Sequence, residues 1–338
     1  MIRNLQISNF KSLKDLALEC ARINIIIGEP NTGKSNILES LAFLSAAYYM
    51  RFGSDLGKFV RHEKTADLFY DSDIQNSIKI KAAIGTDDAD TLTVKFQNGQ
   101  YTGDLSSLRG GSGAQLSGDQ TTMRSSGSNQ AGERFLPKYK YYKYQEGSPI
   151  NRPEGSPLLP PSGANLLSVL LTDRELRSLV TSLLSPYGLK LGLRPNETKI
   201  ELVKQSEDVI ISYPFLVVSD TFKRLIFFLT AVLTSRDSVL IFEEPESHTF
   251  PYYTKYLAEK IVSDDRKNQY FISTHNPYFL QAALARGDFD DVRVFVTRYQ
   301  NYQTSVTTLD KENMGLLMQM DVDVFFQLDR LVERKNEK

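Results

Sequence analysis

Cysteine occurs once in the 338 residues, as Cys20, and histidine only three times. A single thiol cannot build an intrachain disulfide framework, and it fits a reducing compartment. No paired Cys/His spacing is present, so a structural zinc site is not expected. Charge of one sign is lacking as well: 40 Lys and Arg against 41 Asp and Glu leave a net charge of −1. Without a global basic field, contact with nucleic acid has to come from a local patch. Long apolar runs are missing. The longest candidate, 225–233, falls well short of the ~20 residues of a membrane span. The N-terminus, Met1-Ile2-Arg3-Asn4, alternates like a strand and has no apolar signal-peptide core. The expectation is a cytoplasmic protein with no membrane contact.

What the chain does contain is Gly28-Glu29-Pro30-Asn31-Thr32-Gly33-Lys34-Ser35, which reads G-x-x-x-x-G-K-S. The apolar run 23–27 precedes it. A helical pattern follows, with Ile37, Leu38, Leu41, Ala42 and Leu44 on one face. A chance glycine turn would match the pattern in roughly one chain in a hundred of this length, and the flanking strand and helix argue against chance. Glycines let backbone N–H groups curl around phosphate oxygens, and the N-terminal end of the next helix favours the anion. Lys34 is expected to reach the β- and γ-phosphates, and Ser35 to hold Mg²⁺. A nucleoside triphosphate is the implied ligand.

The pattern elsewhere is that of an α/β chain. Leu5 and Ile7 alternate, as do Leu16 and Leu18, predicting strands that feed the phosphate loop. Segments 78–82 and 92–94 predict a half-exposed antiparallel sheet after the first helix. From 103 to 132 the composition turns to Gly, Ser, Gln and Asn, which reads as a flexible surface insertion. The run 138–144 interleaves Lys138, Lys140 and Lys143 with tyrosines. It fits a nucleic-acid surface that stacks bases and neutralises phosphates. The alternation alone favours a strand whose lysines face solvent and blunt a sheet edge. Residues 165–184 read as one helix, with no heptad long enough for a coiled coil.

A second apolar run, 238–242, ends in Glu243 and Glu244. An unbroken apolar strand suits the centre of a parallel sheet, whose C-terminal ends bind ligands. Glu243 is expected to hold Mg²⁺, and Glu244 to act as general base toward the attacking water; the alternative is a solvated acid pair opening a loop. A third run, 270–272, leads to Ser273-Thr274-His275-Asn276-Pro277. His275 could touch the γ-phosphate or the water; the alternative is an ordinary turn histidine. No guanine-reading N-K-x-D motif is present, which favours ATP.

Four stretches together resemble the ABC-type ATPase heads of the RecF, SMC and OLD group. They are Ile7-Ser8-Asn9-Phe10-Lys11-Ser12, the loop from Gly28 continuing through Asn36 to Leu41, Ile241-Phe242-Glu243-Glu244-Pro245-Glu246, and Ser273 to Pro277. The resemblance implies an α/β ABC-type P-loop NTPase head with a mixed central sheet, an antiparallel N-terminal sheet and a helical lobe. One such head would take up 1–338, with the first lobe at 1–100 plus 237–338 and the helical lobe at 145–236. Carried over residue by residue, it assigns Asn31, Thr32, Gly33, Lys34, Ser35, Asn36 and Lys11 to the nucleotide. It assigns Ser35 and Glu243 to the metal, and Glu244, His275 and Lys34 to catalysis. Ser219, in the signature-like stretch 218–224, would reach the nucleotide of a second subunit. Two departures stand out: Thr221 occupies a position that is usually glycine, and Ser247-His248-Thr249-Phe250-Pro251 stands where the group has N-G-L-H-P.

The leading expectation is an ATPase that binds ATP and Mg²⁺, dimerises with a second copy around ATP, and drives a separate effector protein in DNA maintenance or anti-phage defence, with DNA as a further partner. The stretch after His275 is too short for the Toprim nuclease of the OLD branch, so cleavage would belong to another protein. A second expectation, from a different class, is a nucleotide-gated interaction module with negligible turnover, motivated by Thr221 and Phe250. A metabolic P-loop kinase is a third, and it would need an acceptor lid.

Overall fold

The first 28 residues form three strands, β1 (Asn4–Phe10), β2 (Leu13–Glu19) and β3 (Ile23–Gly28). β1 and β2 alternate buried and exposed residues, whereas β3 is buried along its whole length. That difference fits two environments, a half-exposed antiparallel sheet and a covered central one. The computed structural model describes residues 1–49, 55–85, 88–106, 112–116, 138–148, 150, 155–320, 324–325 and 327–328.

Helix α1 (Lys34–Tyr49) follows the phosphate loop. Strands β4 (Ile78–Ala83), β5 (Ala89–Gln97), β6 (Gln100–Ser106) and β7 (Ser112–Leu116) then join the first two in an antiparallel sheet of order β2-β1-β4-β5-β6-β7. Part of the Gly/Ser-rich stretch 103–132 therefore pairs as strand, in 103–106 and 112–116, and its remainder lies outside the described residues.

Strand β8 (Tyr139–Tyr142) precedes a lobe containing α2 (Leu166–Thr172), α3 (Arg174–Leu184), β9 (Lys190–Arg194), β10 (Lys199–Ser206), β11 (Val209–Pro214) and α4 (Asp220–Thr234). The single helix expected over 165–184 is two. Asp173 is extended and its carboxylate accepts the Leu176 N–H at 2.9 Å. A cap of this kind is worth about 1 kcal/mol and restarts the helix.

The chain closes with β12 (Val239–Glu243), α5 (Pro251–Val262), β13 (Gln269–Ser273), α6 (Pro277–Arg286), β14 (Val292–Gln300), β15 (Gln303–Thr308) and α7 (Lys311–Gln319). The central sheet has the order β15-β14-β3-β13-β12-β8 and is parallel except for β15. Mixed central sheet, antiparallel sheet and helical lobe are all present, as expected.

Alternation along β3 divides the core. Ile23, Ile25 and Ile27 face the helical lobe with Leu240, Phe242, Ile272 and Val294. Ile26 faces α1 and the antiparallel sheet, with Ile241, Phe271 and Phe295. Helix α1 lies between the two sheets, so burial extends beyond the one predicted face to Ser40, Phe43, Ser45 and Ala46.

This layering corrects the reading of 138–144. All four residues of β8 are buried, and Lys140 is only 4% exposed, its ammonium donating to Ser235 Oγ at 3.3 Å. Lys143 pairs with Glu243. Tyr141 belongs to the α1 side of the core and Tyr142 to the other side. The strand is a sheet edge whose faces are covered, and it offers no row of solvent-facing lysines. Burial pushes the Lys140 ammonium down to about 8. Because its folded-state value lies below the unfolded one, stability rises as pH climbs from about 8 toward the unfolded value. Lys140→Met should therefore stabilise the protein at pH 7 by on the order of 1–3 kcal/mol. The gain should shrink above pH 8, as read by urea melts across pH.

Candidate nucleotide site

The phosphate loop leaves β3 through Gly28 (φ +151°) and turns through Asn31 (φ +61°) and Gly33 (φ +93°) into α1. Both glycines are required twice over. Their backbone angles disfavour L side chains, and a Cβ would overlap Thr297 at Gly28 and Thr304 and Ser12 at Gly33. The loop is braced from behind. The Thr32 hydroxyl donates to Glu29 O at 2.7 Å and lies 2.6 Å from Thr297 Oγ1. Asn36 Nδ2 donates to Ser12 Oγ at 2.7 Å, and Ser12 in turn meets Thr304 at 2.6 Å. Lys34 curls back, its ammonium donating to Gly28 O at 2.9 Å and Glu29 O at 2.6 Å. Burial pulls it down to about 8, against the opposing fields of Glu244 and Glu29.

Strand order brings the other two predicted segments to the same edge. β13 lies between β3 and β12, and Glu243 pairs in register with Ser273. Glu244 (φ +43°) turns out of the strand, its N–H donating to Ser273 O at 3.1 Å. His275 Nε2 lies 3.1 Å from Glu244 Oε1. That hydrogen bond is the main reason the Glu244 carboxyl titrates below its usual range; Ser247 and the Lys34 charge add to it. Lys34, Glu244 and His275 thus form one electrostatic unit. Ser35 stands beside Lys34 at the start of α1.

Glu243 sits among cations. Its Oε2 accepts from Lys143 at 2.7 Å and from the Tyr141 hydroxyl at 2.8 Å, and Arg61 Nη2 is 3.5 Å from Oε1. Burial alone would raise its carboxyl, but Lys143, Tyr141 and Arg61 hold it below the usual range. Arg61 also binds the buried Glu39 at 2.5 Å, and Glu39 takes the Lys11 ammonium on its other oxygen. Lys11 therefore stands on Glu39 and on the Arg61 carbonyl at 2.6 Å. Tyr141 and Lys143 lie in the run 138–144 and Glu39 in the stretch Asn36 to Leu41, but nothing in the sequence assigns them or Arg61 to the surroundings of Glu243; the fold brings them together.

Among the described residues no cluster of three or more His, Cys, Asp or Glu could hold a metal by itself. That is compatible with Mg²⁺, which in nucleotide sites takes one or two protein oxygens, phosphates and waters. Lys143, Tyr141 and Arg61 keep Glu243 ionised but occupy its oxygens, so it would hold such an ion through water or after those groups move aside. Ser35 and Glu243 are the residues that would hold it.

Ser219 lies in the other lobe as the N-cap of α4, its side chain making no capping bond. Two residues on, the Thr221 hydroxyl donates to His248 O and accepts the Phe250 N–H, both at 3.3 Å. Exposed apolar side chains surround this corner: Leu216, Val217, Phe250 and Tyr252 are each more than 60% exposed.

Glu246, two residues beyond Glu244, is fully enclosed. Its Oε1 accepts from Thr274, and burial pushes the carboxyl up to about 7.

Comparison with known proteins bears on the family and the fold. A family model for an AAA ATPase domain matches residues 1–150. A model described as AAA domain, putative AbiEii toxin, Type IV TA system, matches residues 146–281. A Helicobacter pylori (strain ATCC 700392 / 26695) protein described as an ATP/GTP phosphatase is 29% identical over 104 residues; the match covers 28% of each chain. Two solved structures share the fold. An Smc head bound to the C-terminal winged-helix domain of ScpA superposes with a TM-score of 0.54 at 16% identity, covering 92% of this chain and 98% of that one. An Smc head with an extended coiled coil, bound to the C-terminal domain of ScpA derived from Pyrococcus furiosus, gives 0.52 at 13% identity, covering 94% and 99%. The family descriptions imply ATP as the nucleotide. No helix among the described residues is long and apolar enough to cross a membrane.

Gly33→Ala should cost at least tenfold in ATP affinity, roughly 1.4 kcal/mol or more, while the overall fold persists. Equilibrium binding of a fluorescent ATP analogue, with circular dichroism as the fold control, checks this.

Proposed function

Because the chain is a P-loop protein of the ABC-type ATPase group that includes the RecF and SMC heads, we propose that it binds Mg-ATP at Lys34 and Ser35 and hydrolyses it with Glu244 as general base. The observation that carries this reading is the Lys34, Glu244 and His275 unit, with His275 Nε2 3.1 Å from the Glu244 carboxylate. Phosphate oxygens replace the Gly28 and Glu29 carbonyls on the Lys34 ammonium, which then neutralises charge developing on the transferred phosphoryl group. Glu244 stays ionised at neutral pH and takes the proton of the attacking water. His275 fixes the orientation of that carboxylate. Ser35 and Glu243 would hold Mg²⁺, which would supply Lewis-acid stabilisation of the charge that develops on the phosphoryl group.

Two copies assemble around ATP in this proposal. A ligand bound by both chains favours the dimer by mass action. Ser219 is the residue offered to the partner's γ-phosphate, and Leu216, Val217, Phe250 and Tyr252 supply an apolar collar beside it. Smc heads solved with ScpA domains suggest that a separate protein docks on the head and takes up the nucleotide cycle. The AbiEii-type description of the second family model favours a role in defence over one in DNA maintenance. The cytoplasm is the compartment proposed.

The bond from Thr221 to His248 and Phe250 motivates a second reading, a nucleotide-gated switch with negligible turnover. Phosphate release decides between them. We expect wild-type turnover to fall at least about a hundredfold in Glu244→Gln, with ATP binding retained. Wild type and Glu244→Gln equally inactive, with Lys34→Ala abolishing ATP-induced dimers, would favour the switch. Val217→Glu with Phe250→Glu should keep the protein monomeric with ATP by light scattering; an unchanged dimer removes the collar from the interface.

A further inference from the structure

We infer that Glu246 is a positioning residue, whose buried carboxylate braces the loop that aims His275 at Glu244. The inference rests on the hydrolytic reading above. Three hydrogen bonds carry it. Glu246 Oε1 accepts from the Thr274 hydroxyl at 2.5 Å and from the His275 N–H at 3.4 Å. The Thr274 oxygen in turn accepts the Asn276 N–H at 3.0 Å. Beyond it the Asn276 side chain caps α6, accepting from Tyr278 at 2.9 Å and Phe279 at 3.2 Å. The whole segment Thr274 to Asn276 is therefore fastened at one end to a helix and at the other to a single oxygen of Glu246. Glu246 belongs to the turn that begins at Glu244, so this oxygen ties the two catalytic loops together directly.

The second oxygen supplies the reason to read this as function. Oε2 is buried with no hydrogen-bond partner among the described residues, in a side chain that is 4% exposed. A buried carboxyl with half its acceptors unmatched costs stability, and a residue kept for packing alone would be apolar or fully bonded. Such a cost next to the Glu244–His275 pair is the pattern of a residue retained for geometry at a site. The Glu244 N–H ties the turn to Ser273 at the strand end, but Glu246 is the side chain that holds both the Thr274 hydroxyl and the His275 N–H. Without Glu246, the His275 loop keeps its strand pairing, the bond from Asn276 to Thr274 and the α6 cap, and the ring is free to swing away from Glu244.

Three histidines in the chain make the test direct. Ring resonances of His62, His248 and His275 are assigned by NMR in the full-length protein, and phosphate release is measured alongside. In Glu246→Ala the His275 ring signals should move to where they stand in Glu244→Ala, with His62 and His248 unmoved. Turnover should fall about tenfold or more, with KM for ATP within about twofold of wild type. Glu246→Gln keeps the accepting oxygen and should leave the His275 signals in place. Thr274→Val, which removes the bond from the other side, should reproduce the alanine result and serves if that variant does not fold. His275 signals unmoved in folded Glu246→Ala or in Thr274→Val, or moved equally in Glu246→Gln, overturn the inference. A wild type that releases no phosphate refutes the hydrolytic reading instead, and the ring signals still decide the role of Glu246.

Discussion

The site depends on the parallel register of β3, β13 and β12. Ser273 pairs with Ile26 on one side and with Glu243 on the other, so three chain reversals leave the sheet at one level. The phosphate loop, the His275 loop and the Glu244 turn are the continuations of those three strands. Side-chain period in a strand is two, so a one-residue slip of β12 would send Glu243 to the opposite face and pull Glu244 back into the sheet. Burial fixes the register. Leu240 and Phe242 belong to one side of the core, Val239 and Ile241 to the other, and neither set can be exchanged without exposing apolar surface. The chemistry is thereby specified by packing far from any phosphate.

The same sheet explains how much charge can be gathered at one edge. Lys34, Glu244 and His275 balance one another, and Glu243 is balanced by Lys143 and Arg61. Glu39, buried inside α1, is matched by Lys11 and Arg61. Glu243 and Glu39 share Arg61, so those two acids form a connected network whose members cannot be changed independently, while Glu244 is matched separately by His275 and Lys34.

Much of this was legible in the sequence, for local reasons. The phosphate loop is eight consecutive residues with required backbone angles, and the acids and His275 each terminate an apolar run of parallel-strand character. Adjacency of β12 and β13 followed from a short crossover. What was not legible is what lies between layers. Alternation in 138–144 is genuine, yet it cannot say that Lys140 would point into a covered face, because period two reports two sides and not what covers them. Arg61 carries no motif, and Glu39, inside the stretch Asn36 to Leu41, meets it only through the fold. Glu246 was in view as part of Glu243-Glu244-Pro245-Glu246, but its meaning lies in Thr274, 28 residues away. The break at Asp173 was readable in principle, since an aspartate before Arg174-Glu175-Leu176 is a helix start.

Two departures from the pattern of ABC-type heads, separate in the sequence, are one feature in space. Thr221 replaces the usual glycine, and Ser247 to Pro251 replaces the usual loop after the acids. The hydroxyl that glycine could not supply is the group that bonds His248 O and the Phe250 N–H. His248 itself is held at φ +58°. The start of α4 and the loop following Glu244 are thus fastened together within one chain, where a glycine would leave both free to meet a second subunit. Fastening lowers the entropy lost when the two segments are ordered by a partner, and it also limits how far Ser219 can move toward a nucleotide. In the proposed dimer these two effects oppose each other at this corner, and neither touches the phosphate loop.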